Sequence, residues 1–346
     1  MRTDNEAGPC RSARRDGDAM KYLTPSTALA VITARMGKDD PRIRDIVEQY
    51  REGKSYDIGI LGVPFDYGVE LSGGRPGARH GPEQIRAALM RHGTTYNMER
   101  GIDVSGISVC DLGNVNVADR DSVETHERVS EVVSSMIKKG MLPIVLGGGH
   151  DITFANVRGL CNATKGKVGC INVDAHLDVR PVIEGRASSG TSFKRILEEL
   201  GGRVSGGNLV ELGAHDNLNA AAHLAYLDKI GSTVMTLNDI TRSGMRRSIG
   251  RALSSAGRGT AALALSVDVD AMPQSVAPGC SAPSPRGIAV EDILDACFAA
   301  GADKRLKLFD IMELNPMYDF DGRTAMLAAE MIISFINGFA TRGARS

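Results

Sequence analysis

Ile171-Asn172-Val173-Asp174-Ala175-His176-Leu177-Asp178 is the stretch from which the fold and the chemistry of this chain can both be read. Three metal-competent side chains fall at i, i+2 and i+4, directly after the apolar run 168–173. In an extended chain that spacing places all three on one face. Alone, an aspartate and a histidine at a strand end are more often simply solvated. Two other segments change the balance. The short apolar run 142–146 ends in Gly147-Gly148-Gly149-His150-Asp151, and the run 261–267 passes into Asp268-Val269-Asp270. Each group of ligand-type residues therefore follows a strand-like run.

Working outward, the same alternation extends through the chain. Strand-like runs fall at 58–63, 107–112, 142–146, 168–173, 209–212, 233–237, 262–267 and 306–312. Helix-like stretches separate them at 122–139, 153–161, 193–200, 219–228, 243–256 and 290–300, with another at 323–339. A helix-like stretch is also expected from Thr24 to about Gly53. A Gly-rich loop at 64–82 leads to a helix opened by Pro82, with Glu83 near its positive end. Strands alternating with crossover helices predict an α/β fold with a mostly parallel sheet of about eight strands, covered on both faces. No second domain and no repeat is visible, so 23–346 reads as a single domain. Residues 1–22 mix Arg11, Arg14 and Arg15 with acidic residues and have almost no apolar content. They read as a disordered extension and not as a signal peptide, with Met20 a possible natural start.

Composition narrows the function classes. Lys and Arg number 41 against 42 Asp and Glu, a balance that gives no reason to expect a nucleic-acid partner. The apolar runs are about strand length, short of the ~20 residues that span a bilayer, so a soluble protein without membrane association is expected. The six cysteines are scattered without a C-x-x-C pair and read as reduced thiols, consistent with a cytoplasmic protein.

In an open parallel sheet, sites lie outside the carboxyl ends of the strands. His150, Asp174, His176, Asp178, Asp268 and Asp270 would converge there. Four carboxylates packed together repel unless cations neutralise them, and two divalent ions cancel four negative charges where one would not. Oxygen and imidazole donors without cysteine favour Mn²⁺ over a structural zinc. A two-metal site follows.

Four ordered motifs, Gly147–Asp151, Asp174–Asp178, Ser266–Asp270 and Glu313-Leu314-Asn315-Pro316, together resemble the signature of the ureohydrolase (arginase/agmatinase) superfamily, across about 58–340. The resemblance implies a three-layer α/β/α fold, two Mn²⁺ per chain and hydrolysis of a C–N bond in an amidino or guanidino group. It also implies a homo-oligomer, trimeric or hexameric. By that resemblance Asp174 and Asp268 bridge the ions, His150 and Asp178 complete one coordination sphere, and His176 and Asp270 the other. A hydroxide held between the ions attacks the amidine carbon, oriented by Asp178, while Glu313 binds the cationic nitrogen group.

The chain departs from arginases in informative places. Where arginases carry Ser-Gly-Asn-Leu-His, this chain has Ser189-Gly190-Thr191-Ser192-Phe193, so the proton-shuttling histidine is replaced by Phe193 and that role is unassigned. Arg180 stands where arginases have a small polar residue. These positions, together with Met272–Pro283, resemble the formimidoylglutamase branch, whose substrate N-formimidoyl-L-glutamate carries an amidinium and two carboxylates and is split into L-glutamate and formamide. Such a pocket needs a guanidinium, and Arg180 is the first candidate, with Arg186 and Arg286 on adjacent loops as a second clamp and Ser189 as a further substrate contact. The other readings are a different amidino or guanidino hydrolase and a catalytically silent relative.

The remaining motifs are weaker. Gly73–Ala78 lacks the G-K-[ST] ending of a phosphate loop and reads as a structured loop over the site. His80, His92, His126, His215 and His223 lack ligand partners at informative spacing and default to surface or core roles, His215 being the one placed to act as an acid or base. Cys280 is expected to be a small buried residue.

Overall fold

The computed structural model describes residues 16–28 and 39–343. Eight parallel strands form the centre of one sheet. They are β1 (Ile58–Gly62), β2 (Val109–Val115), β3 (Leu142–Leu146), β4 (Val168–Val173), β5 (Leu209–Ala214), β6 (Thr233–Thr236), β7 (Ala262–Asp268) and β8 (Leu306–Met312). Their spatial order is β2-β1-β3-β8-β7-β4-β5-β6, and two short strands, Leu23–Thr24 and Val47–Gln49, add to the outer edge of β2. All of these strands but the edge strand β6 are almost wholly buried, as expected of a parallel sheet covered on both faces.

Alternation of side chains along each strand feeds two separate cores. Ile58, Ile60, Ile171, Val173, Leu263 and Leu265 pack against the helices Gly81–Arg91, Met245–Ala256, Val290–Ala302 and Arg323–Ala340. Leu61, Cys170, Ala262 and Ala264 face the other way, towards Ser122–Lys138, Ile152–Ala163 and Ser192–Glu199. The result is the three-layer α/β/α arrangement, with the strand pattern as expected to within a few residues.

Four sequence expectations need correction. Within 24–53, Val47–Gln49 is a strand and only Ile43–Ile46 is a helical turn, residues 29–38 lying outside the described residues. The spacing of Ile43, Ile46 and Val47 suits a helix, but the free backbone of β2 at Val109–Asp111 captures residues 47–49 as a neighbouring strand. Of the extension expected to be disordered, Asp16–Tyr22 forms a 3-10 helix against Ser122–Lys138, and the expectation for 1–15 lies outside the described residues. The stretch expected as one helix at 243–256 is preceded by another, Leu237–Ser243, because Gly244 at φ +80° interrupts the run. Finally, the helical segment Arg323–Gly343 is long and apolar enough to cross a bilayer, although 61% of its most apolar window is buried, as in a core helix.

Candidate metal centre

The four strands β3, β8, β7 and β4 are neighbours, and the residues following each one's carboxyl end meet above the sheet. β3 delivers His150 through Gly147–Gly149. This turn is pressed between two other segments: a Cβ at Gly148 would lie 1.8 Å from the Phe65 carbonyl oxygen, and one at Gly147 would lie 1.9 Å from Met312 Sδ. Only glycine lets the backbone pass. The imidazole of His150 is fully buried, with Phe193 packed edge-on against it at 5.7 Å.

His150 Nδ1 lies 3.2 Å from Asp174 Oδ2, 3.1 Å from Asp178 Oδ2 and 3.2 Å from Asp268 Oδ2. His176 Nδ1 lies 3.4 Å from Asp174 Oδ1 and 3.1 Å from Asp270 Oδ2. Asp174 thus turns one oxygen to each histidine and belongs to two overlapping donor groups, His150–Asp174–Asp178 and Asp174–His176–Asp270. Asp268, also expected to bridge, presents Oδ2 on the His150 side while its Oδ1 accepts the Asp270 N–H at 2.8 Å.

Glu313 completes the floor. Its Oε1 accepts the His150 backbone N–H at 2.8 Å, and its Oε2 is buried without a hydrogen-bond partner. Both Asp178 (φ +44°) and Glu313 (φ +68°) adopt left-handed backbone conformations, which are costly for non-glycine residues and concentrate at functional sites.

Charge is crowded here. Burial pushes the Asp268 and Glu313 carboxyls well above the usual carboxylate range, with the charge of Asp270 adding to the first and that of Asp268 to the second. Burial and the charge of Asp174 likewise raise Asp178, and burial takes Asp270 to about 7. Asp174 moves the other way: against its burial, contacts from His150 and His176 hold it low. Burial would lower the histidines, but their aspartate neighbours outweigh it, raising His150 well above its ordinary value and His176 to about 12. The donor set fits two divalent cations. Oxygen and imidazole atoms converge, Asp174 is shared, and His150 Nδ1, Asp270 Oδ1 and Glu313 Oε2 are buried polar atoms without a hydrogen bond.

All of the donors but Asp174 line a cleft of about 270 Å³ together with Arg180, Ser189, Gly190, Ser72, Gly73, Gly74 and Ser281. The Gly-rich loop is therefore part of the cleft wall. Arg75 fastens it to the 272–283 loop: its backbone N–H donates to Ser281 Oγ, its guanidinium donates to the carbonyls of Cys280 and Ser281, and it stacks 3.8 Å from the Tyr318 ring. Arg180 and Ser189, expected as substrate contacts, both line this cleft.

Arg286 does not. Its guanidinium turns outward to Asp216 at 3.2 Å and Asn238 at 3.0 Å, it is half exposed, and it is absent from the cleft wall. Chain proximity brought it near, but an acidic partner on the loop after β5 drew it away. Arg186 is exposed and paired with Glu184 at 3.7 Å. His215 is buried, with Nδ1 3.3 Å from Ser284 Oγ, and does not line the cleft; Cys280 is fully buried.

Sequence reading missed the supports beneath the donors. His150 Nε2 is 3.0 Å from Ser266 Oγ, which contacts Thr153, and Thr153 and Asn156 both donate to Asp310. Under Asp174, Asn172 Nδ2 reaches both that carboxylate and Glu211. The signal was available: Asp310 and Glu211 are charged residues inside strands that are otherwise apolar but for the exposed Lys307, and Ser266 shares a strand face with Asp268. Such outer partners fix the orientation of metal ligands.

Comparison with known proteins gives a consistent family. The Arginase family model matches residues 56–337. A formimidoylglutamase of Halalkalibacterium halodurans is 32% identical over 290 residues, covering 83% of this chain and 89% of that protein. One from Aeromonas salmonicida is 34% identical, covering 80% and 85%. The crystal structure of Trypanosoma cruzi formiminoglutamase with Mn²⁺ superposes with a TM-score of 0.82 at 35% identity, covering 88% of this chain and all of that one.

Proposed function

The chain belongs to the arginase family, and we propose that within it this protein hydrolyses N-formimidoyl-L-glutamate to L-glutamate and formamide at a centre of two Mn²⁺ ions per chain. His150, Asp174, Asp178 and Asp268 would hold one ion, and Asp174, His176, Asp268 and Asp270 the other. When bound, the pair supplies a water acidified enough to act as a nucleophile near neutral pH. The substrate and metal named for the similar proteins support this reading.

The chain's own residues divide the rest of the work. Asp178 places a carboxylate at the cleft wall, where it can orient the attacking water by accepting a hydrogen bond. Glu313 Oε2, held by the His150 N–H through its sister oxygen, faces the cleft as the counter-charge for the amidinium. Phe193 keeps the back of His150 apolar and supplies no proton. We further infer a cytoplasmic enzyme that assembles as a homo-oligomer, trimeric or hexameric, and takes a small molecule as its partner.

The observation that carries the substrate choice is Arg180. Its guanidinium lies in the same cleft as the acidic donors and makes no hydrogen bond or ion pair with a described residue. A free guanidinium suits a carboxylate-bearing amidine and opposes agmatine, whose ends are both cationic. The test assays N-formimidoyl-L-glutamate, arginine, agmatine and 4-guanidinobutyrate side by side on Mn²⁺-loaded protein. Formimidoyl-glutamate should be preferred, and Arg180→Ala should lower its kcat/KM about ten- to two-hundredfold, with lysine restoring only part. Preference for arginine or agmatine, or unchanged kinetics in Arg180→Ala, overturns the reading.

A further inference from the structure

The metal cleft does not end at Arg180. A second hollow of about 450 Å³ shares Ser72 and Arg180 with it and is otherwise lined by Leu71, Pro181, Ile183, Glu184, Arg186, Ser188 and His223. Arg180 forms the partition. Its backbone N–H donates to the Gly190 carbonyl at 2.9 Å, and its side chain lies against Gly190, where a Cβ would come within 2.9 Å of Arg180 Cδ. His223 enters from the helix Ala221–Ile230, half-buried. Its imidazole has no hydrogen-bond or ionic partner among the described residues. The acid in the hollow, Glu184, is exposed and lies 3.7 Å from the Arg186 guanidinium.

Two carboxylates need two places. In N-formimidoyl-L-glutamate the proximal carboxylate carbon lies roughly 4 Å at most from the amidine carbon and the distal one roughly 6 Å, by ordinary bond lengths. One guanidinium at the partition can hold the nearer group, but the farther one extends past it. Resting on the substrate reading above, we propose that the hollow beyond Arg180 is the subsite for the distal carboxylate and that the His223 ring N–H is its donor. An imidazole can present an N–H whether neutral or protonated, so it can serve as donor in either state. A partnerless donor, shielded on one side and bordering the guanidinium, is an arrangement suited to selecting a dicarboxylate over a monocarboxylate.

The test compares wild type, His223→Ala and His223→Gln, all Mn²⁺-loaded and with metal content verified, on two substrates. N-formimidoyl-L-alanine keeps the proximal carboxylate and lacks the distal one. His223→Ala should raise KM for N-formimidoyl-L-glutamate about tenfold, leave kcat within about twofold and leave KM for the alanine derivative unmoved, with glutamine recovering part of the loss. Inhibition by the product L-glutamate should weaken by a similar factor. An equal KM rise for both substrates, or no change for either, overturns the subsite while leaving the substrate reading intact. A wild type that prefers arginine or agmatine to both formimidoyl compounds overturns the two together.

Discussion

Two of the buried charge clusters among the described residues are built on opposite plans. At the edge of the sheet, Arg86 is fully buried and spends its guanidinium on Asp111 at 2.7 Å, Glu83 at 3.0 Å, Asn114 at 2.7 Å and the Gly113 carbonyl at 2.6 Å. Asp111 is answered in turn by the Gly113 N–H. At the carboxyl ends of β3, β4, β7 and β8, by contrast, four aspartates and Glu313 share two histidines, and several buried polar atoms are left unbonded. The first cluster is a closed account of donors and acceptors and has only the fold to serve. In the second, unmet valence is the functional signal. Buried charge alone did not distinguish them; the state of the lone pairs did.

The comparison breaks most visibly at Asp174, the carboxylate that faces both histidines. Asp174→Ala should reduce turnover by at least roughly a thousandfold, since both ions lose a donor. Bound Mn²⁺ per chain should fall in elemental analysis while far-ultraviolet circular dichroism stays native. A variant retaining two ions and its activity would put the metals elsewhere. The opposite cluster should respond in the opposite currency. Arg86→Ala leaves Asp111 buried and uncompensated, which should cost about 3–5 kcal/mol in urea unfolding without changing the Mn²⁺ content of the folded protein. Loss of metal with retained stability would erase the distinction between the two clusters.

Glu313→Gln sharpens the boundary inside the metal centre. The amide keeps the contact with the His150 N–H but removes the counter-charge, so both ions should remain while kcat/KM falls by a factor corresponding to about 2–5 kcal/mol. Unchanged kcat/KM would assign Glu313 to support alone. The smallest effect concerns pH. Asp270, raised to about 7 in the metal-free protein mainly by burial, must lose its proton before it can bind an ion. Mn²⁺ affinity measured by titration should therefore weaken as pH falls, the Asp270 proton contributing at most about tenfold per unit below about 7, in addition to the protons that His150 and His176 must also lose.

Much of this was legible in the residues. The strands of a doubly covered sheet are continuous apolar runs, so their positions survive reading without a partner, and the donors directly following them inherit those positions. Arg180 was legible for the same reason: two residues past Asp178, it had little room to stray. Arg286 was not, because sequence distance to a site says nothing of the acid on another loop that turns the side chain outward. Nor was the strand Val47–Gln49, whose local pattern suits a helix until the unpaired edge of β2 is present. The left-handed backbone of Asp178 and Glu313 was hidden as well, since neither residue type advertises it as glycine would.

The Arg75 clasp has a dynamic consequence. One guanidinium and its own backbone tie together the loop after β1, the loop after β7 and, through the Tyr318 ring, the segment after β8. Asn315 reinforces the tie by donating to the carbonyls of Arg75 and Pro76. Segments more than two hundred residues apart in the chain cannot then fray one at a time. In hydrogen exchange the whole entrance should open as one cooperative unit, its three loops sharing a single protection free energy that Arg75→Ala would split into separate values.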